Sequence, residues 1–133
     1  MKKVYAGSLL ALSVLTFACN KSKDKSTSDL LQGKWYATTG QSNDHYSGQD
    51  HPASYTYNKG DVTLEFKGAQ LYINDQGSID TFPFKVLNDT TLFIDNAELL
   101  ILKKLTGSEL TTYSIYNSNS SDFSEETTNF NKY

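Results

Sequence analysis

From Gly33 onward the chain is a rhythm of short alternating runs broken by turn residues, and this rhythm leaves little choice of fold. "VTLEF" sets Val62, Leu64 and Phe66 on one face and Thr63 and Glu65 on the other. "QLYIN" does the same with Leu71 and Ile73, and "TFPFKV" with Phe82, Phe84 and Val86. "TLFID" adds Leu92 and Ile94, and "ELLILKKL" and "ELTTYSIY" follow. A side-chain period of two is the mark of a half-buried strand. Between the runs stand Lys67-Gly68, Asn74-Asp75-Gln76-Gly77, Asn88-Asp89, Asp95-Asn96 and Thr106-Gly107-Ser108. These residues tolerate positive φ or bond their own backbone, so they close tight turns. Turns this close together leave no room for crossover helices, so the strands are expected to be antiparallel neighbours in a meander. The fold class is all-β: a small closed barrel, or, with the same alternation, a β-sandwich. Pro83 is expected at an edge or bulge. "LLILKKL" reads as a strand covered on both faces, with Leu99 and Ile101 opposite Leu100 and Leu102. The tail from Asn117 to Tyr133 is polar, either a last strand through Phe123 or Phe130 or a loose end.

The first thirty residues have a different character. Lys2 and Lys3 precede an apolar run from Val4 to Phe17, which is shorter than the roughly 20 residues of a membrane-spanning helix. Ala18 then stands before Cys19, the single cysteine of the 133-residue chain. One cysteine makes no internal disulfide, so the fold must rest on its core. Leu15-Thr16-Phe17-Ala18-Cys19 resembles a bacterial lipobox. That resemblance implies a signal peptide at 1–18 and lipidation of Cys19, with palmitate-like acyl chains as the membrane anchor. The expected location is the Gram-negative envelope at the outer membrane. Surface-export signals of some such lipoproteins are acidic just after the cysteine, whereas Lys21, Lys23 and Lys25 make this stretch basic, so the domain is expected to face the periplasm. Residues 19–29, "CNKSKDKSTSD", read as a flexible tether spanning roughly 18 Å. Residues 30–133 form the domain.

Removing residues 1–18 takes away two lysines and no acid, leaving ten lysines against fifteen acids and a formal charge of −5. All twelve cations of the full chain are lysines. An acidic chain without arginine is poorly suited to nucleic acid or to clamping phosphate. No partner of that kind is expected.

The start of the domain carries a second resemblance. In "SDLLQGKWYATT", Ser28 or Asp29 is the expected cap of one helical turn, and Gly33-Lys34-Trp35 opens the first strand. Gly-x-Trp followed by an all-β meander resembles the lipocalin superfamily, and with the lipobox it is similar to small lipocalin-like lipoproteins. The resemblance implies that Gly33 permits close approach at the barrel floor and that Trp35 plugs it. In the family an arginine stacks on that tryptophan. This chain has none, so a lysine such as Lys103 or Lys104 is expected to serve in its place, or nothing does. The resemblance also implies a small, partly apolar ligand in the barrel. Trp35, Phe66, Ile73, Phe82, Phe84, Tyr55 and Tyr57 are the candidate ligand-binding residues.

"GQSNDHYSGQDHPASY" holds both histidines, each after an aspartate. It reads as a polar loop lying over the open end of the barrel. Asp44, His45, Asp50 and His51 are the candidate metal ligands, since two imidazoles and two carboxylates suit zinc or a similar ion. Asp89-Thr90-Thr91 resembles an O-glycosylation acceptor centred on Thr90. The chain lacks a Gly-x-Ser-x-Gly elbow, a His-Glu-x-x-His helix and a phosphate loop. The sequence thus points away from an enzyme and requires no cofactor. Its reading is a membrane-anchored, ligand-binding lipoprotein, and the alternative is a filled barrel that binds a protein of the cell envelope.

Overall fold

The computed structural model describes residues 24–117 and 120–133. The signal segment and Cys19 lie outside the described residues. A short helix, α1 (Thr27–Leu31), is followed by nine strands: β1 (Gly33–Tyr46), β2 (Gln49–Thr56), β3 (Val62–Lys67), β4 (Gln70–Asp75) and β5 (Ser78–Asn88), then β6 (Thr91–Ile94), β7 (Glu98–Leu105), β8 (Glu109–Tyr116) and β9 (Phe123–Lys132). β1 pairs antiparallel with both β2 and β3, the strands from β3 to β9 pair antiparallel in chain order, and β9 returns to pair with β1. That last pairing closes β1 and β3–β9 into an eight-stranded barrel, while β2 folds back on the upper half of β1. The sheet is single and closed, so the sandwich alternative does not apply.

Turn chemistry fixes the register. Asp75 pairs with Ser78 across Gln76-Gly77, whose φ values are 49° and 96°. Two consecutive positive φ values make the hairpin turn whose twist matches that of the strands. The Asn74 side chain accepts the Gly77 N–H at 3.1 Å. Register shifts at Ala37/Thr39, Val86/Asn88 and Leu102/Lys104 bend the strands round the barrel. Pro83 lies inside β5 rather than on an edge, level with Asp95, just beyond the end of β6. Its missing N–H therefore faces a turn and leaves no gap in a ladder.

The core lies in the lower half. Leu31, Trp35, Phe66, Leu71, Leu92 and Leu110 are its fully buried large side chains. Alternation places them there, as it places Leu64, Phe84, Ile94 and Phe130. α1 caps this end and drops Leu31 into it. The cap residue is Ser26, not Ser28 or Asp29: the Asp29 N–H donates to Ser26 Oγ at 3.2 Å, and Asp29 reaches back to the Ser26 N–H at 3.3 Å. These reciprocal bonds satisfy donors that a helix start leaves unpaired. The Ser26 hydroxyl, donating to Asp29 Oδ2 at 2.7 Å, and the Ser26 N–H hold the Asp29 carboxyl below its usual value.

Trp35 sits on the floor with no exposed surface, and its indole N–H donates to Leu31 O at 2.8 Å. The cation beside it is Lys132, with Nζ 4.8 Å from the ring centre. Lys103 and Lys104 do not take that place: Lys103 lies over Tyr113 and Lys104 pairs with Glu109. The physical reason is the closing register, in which Trp35 pairs directly with Lys132. Gly33 has φ 111°, and a Cβ there would stand 3.2 Å from Lys132 Cε. The positive φ favours glycine, and any larger residue would also have to displace the end of the Lys132 side chain.

Of the two readings of the polar tail, the last strand is the one formed: β9 contains both Phe123 and Phe130 and closes the barrel. Two further expectations change. The "GQSNDHYSGQDHPASY" segment is a hairpin rather than a loop, because Ser47-Gly48 makes a second two-residue turn between Tyr46 and Gln49. β7 is covered on one face only, since Leu102 is buried while Leu99 is 54% exposed.

Candidate functional site: a cavity in the upper barrel

The inward faces change character with height. Above the floor they leave a cavity of about 490 Å³. This volume lies in the range of small-molecule sites. Its lower wall is apolar: Leu64, Leu71, Ile73, Ile94, Leu100 and Phe130. Its upper wall is polar and carries Tyr57, Asp75, Thr112, Ser114, Glu126 and Thr128. Glu126, Thr128 and Phe130 are alternate residues of β9, so one strand alone supplies the gradient from acid to hydroxyl to ring. The Thr128 hydroxyl donates to Glu126 Oε1 at 3.0 Å and fixes that carboxylate. Burial pushes the Tyr57 hydroxyl above its usual value, and Glu126, Tyr55 and Asp75 push it further.

Of the seven ligand-binding candidates, Ile73 and Tyr57 line the cavity. Trp35, Phe66 and Phe84 belong to the packed floor beneath it, where the Phe66 and Phe84 rings meet edge to face at 5.1 Å. Phe82 packs against the same core. Tyr55 is on β2, 46% exposed, with its hydroxyl 3.0 Å from Ser42 Oγ. The polar lining residues Asp75, Thr112, Glu126 and Thr128 were missed in the sequence reading. Their signal was the spacing of Glu126 and Thr128 from Phe130, which becomes legible once the tail is known to be a strand.

The Asp-His residues divide between the two faces of the β1–β2 hairpin. Asp44 pairs with His51, and His45 with Asp50. Adjacent pairs point to opposite faces. Among the described residues no group of three or more His, Cys, Asp and Glu is placed to hold a metal. On one face His51 stacks on Tyr46 at 3.7 Å.

On the other, outer face His45 is clamped at both nitrogens. Nδ1 lies 2.6 Å from Asp50 Oδ1, and Nε2 lies 3.0 Å from Glu125 Oε2. The ring stacks on Phe123 at 4.1 Å. The Tyr113 hydroxyl donates to Glu125 Oε1 at 2.5 Å, and Lys103 Nζ stands 4.1 Å over the Tyr113 ring. The Glu125 bond, aided by Asp50, raises the His45 pKa. The Tyr113 and His45 bonds lower that of Glu125, and Glu125 in turn raises Tyr113. The Asn43 amide is 3.1 Å from His45 Nε2, and its buried Oδ1 lacks a partner. Turning the amide over offers that oxygen to the ring N–H. The arrangement suits an imidazolium donating on both sides. It ties β2 to β1 and β9.

Thr90 lies in the β5–β6 turn, exposed, with its hydroxyl donating to Asn88 Oδ1 at 3.0 Å. Outside the barrel a second depression runs along β7 and β8, with Leu99 and Ile115 exposed in it.

No protein-family model matches this chain, and no curated protein matches it. Solved structures to which it is similar include apocrustacyanin C1, at 16% identity and a TM-score of 0.42, and apocrustacyanin C2, at 17% and 0.43. Each alignment covers 78% of this chain and 61% of the other, so the chain spans less than two thirds of their length. The barrel assignment rests on the strand pairing itself.

Proposed function

We propose that this chain is a membrane-anchored envelope lipoprotein whose barrel carries a small, partly apolar molecule, without catalysing a reaction on it. The observation that supports this reading is the cavity: the barrel is packed below and hollow above, with an apolar wall under a polar rim. Burial of apolar ligand surface is worth roughly 25 cal/mol per Å², enough for micromolar affinity after association costs of several kcal/mol. The anchor in this reading is Cys19, at the lipobox-like boundary. Several acyl chains hold a protein stably where one does not. The domain would then sit at the periplasmic face of the outer membrane, tethered by the residues after Cys19.

Native mass spectrometry of the chain extracted from membranes tests both parts. The expected species begins at an acylated Cys19 and carries one small molecule that dissociates on activation. An unmodified Cys19 removes the anchor, and a retained protein partner in place of a small molecule favours the interaction module. For that second reading the supporting observation is the outer strip of Leu99 and Ile115, which are 54% and 43% exposed.

A further inference from the structure

The cavity's upper wall indicates what kind of head group its occupant carries. Two carboxylates from different strands of the barrel line it, Asp75 at the end of β4 and Glu126 on β9. The remaining polar lining is hydroxyl and amide: Tyr57, Gln76, Thr112, Ser114, Tyr116 and Thr128. Among the described residues no lysine, arginine or histidine lines the cavity. Among the described residues neither carboxylate has a cationic partner within 4.0 Å. Glu126 is held on the cavity wall by Thr128, and the Tyr57 hydroxyl shares its surroundings with both acids.

This charge layout has a consequence for selectivity. A carboxylate or phosphate head entering the cavity would add a third negative charge beside Glu126, which Thr128 holds on the wall, and the exposed Asp75 at the rim. Like charges so placed cost affinity, and they discriminate against the anionic guest. An ammonium head would instead supply the missing cation while its tail rests against Leu64, Leu71, Ile73, Leu100 and Phe130. The net acidity of the whole chain adds a long-range field of the same sign. We infer that the cavity selects amphiphiles with a cationic head, an alkylamine-like molecule rather than a fatty acid. This rests on the ligand-binding reading above and specifies its chemical class.

The test compares three probes of one chain length, dodecylammonium, dodecanol and dodecanoate. They compete with the neutral dye N-phenyl-1-naphthylamine for the full chain carrying Cys19→Ala, at neutral pH and below their aggregation limits. The expected result is displacement by dodecylammonium at a concentration at least tenfold lower than dodecanoate, with dodecanol between them. Glu126→Gln combined with Asp75→Asn should bring the three together without altering dodecanol, which also reports that the variant is folded. Added salt should narrow the ammonium–carboxylate gap in the wild type. Equal or tighter binding of dodecanoate, or a gap untouched by the double variant, overturns the inference while leaving a ligand-binding cavity. Failure of the dye and all three probes to bind overturns the ligand-binding reading itself.

Discussion

The ammonium of Lys132 stands 4.8 Å from the centre of the Trp35 indole and donates to Leu30 O at 3.1 Å. One side chain of the last strand thus joins the first strand to α1, at the point where the barrel closes. Cation–π contact and a charge-assisted hydrogen bond together suggest that Lys132→Met costs about 1–3 kcal/mol. Denaturation followed by emission of the buried Trp35 measures it. Loss within experimental error would mean that the Lys132 contact is incidental to closure.

Gly33 is coupled to the same lysine. Gly33→Ala must hold φ near 111° and push Lys132 Cε away from a Cβ at 3.2 Å, at a cost of about 1–3 kcal/mol. The steric part of that cost depends on Lys132. Gly33→Ala with Lys132→Ala should therefore be less destabilising than the sum of the two single changes. Additivity in a double-mutant cycle would contradict the close approach.

The His45 clamp predicts a pH dependence. Its folded pKa lies above the ordinary 6.5, so its contribution is complete below that value and is lost as pH rises through the raised one. The Glu125 pKa lies below the ordinary 4.5, so its contribution is complete above 4.5 and is lost as pH falls through the lowered one. The hairpin is therefore held best between about pH 4.5 and 6.5. The charged groups around the ring are Asp50 from β2 and Glu125 from β9, with Tyr113 and Lys103 behind Glu125. Asp122, which accepts the Ser47 N–H, lies by the same turn. The wild-type melting temperature should fall as pH rises above about 6.5, and the fall should flatten in His45→Asn. Parallel curves for the two proteins would show that the clamp does not contribute.

The floor was legible in the sequence because its signal is local. Gly33 and Trp35 stand two residues apart, and the residues around them alternate cleanly. Lys132 was not legible, because only the β1–β9 register brings it beside Trp35. The same absent register hid Glu126 and Thr128, and so the polar wall of the cavity. The β1–β2 hairpin looks like a loop in the sequence because both its faces are polar: it rises above the core, where burial no longer imposes alternation. Its Ser47-Gly48 turn was the available signal. The two Asp-His pairs were grouped by their proximity in sequence, whereas the pleat divides them.

The cavity gives the most direct test of the account. Ile73 lines it and is half-buried, whereas Leu92 does not line it and is fully buried in the packed core. Ile73→Phe should grow into empty space and change stability by less than about 1 kcal/mol, while Leu92→Phe should overpack and cost about 1–3 kcal/mol. The deciding measurement is saturation binding of N-phenyl-1-naphthylamine to the wild type and to Ile73→Phe. The account predicts one saturable site of micromolar affinity in the wild type, weakened at least tenfold in Ile73→Phe. A wild type with no saturable site, or an Ile73→Phe that binds as tightly, would contradict it.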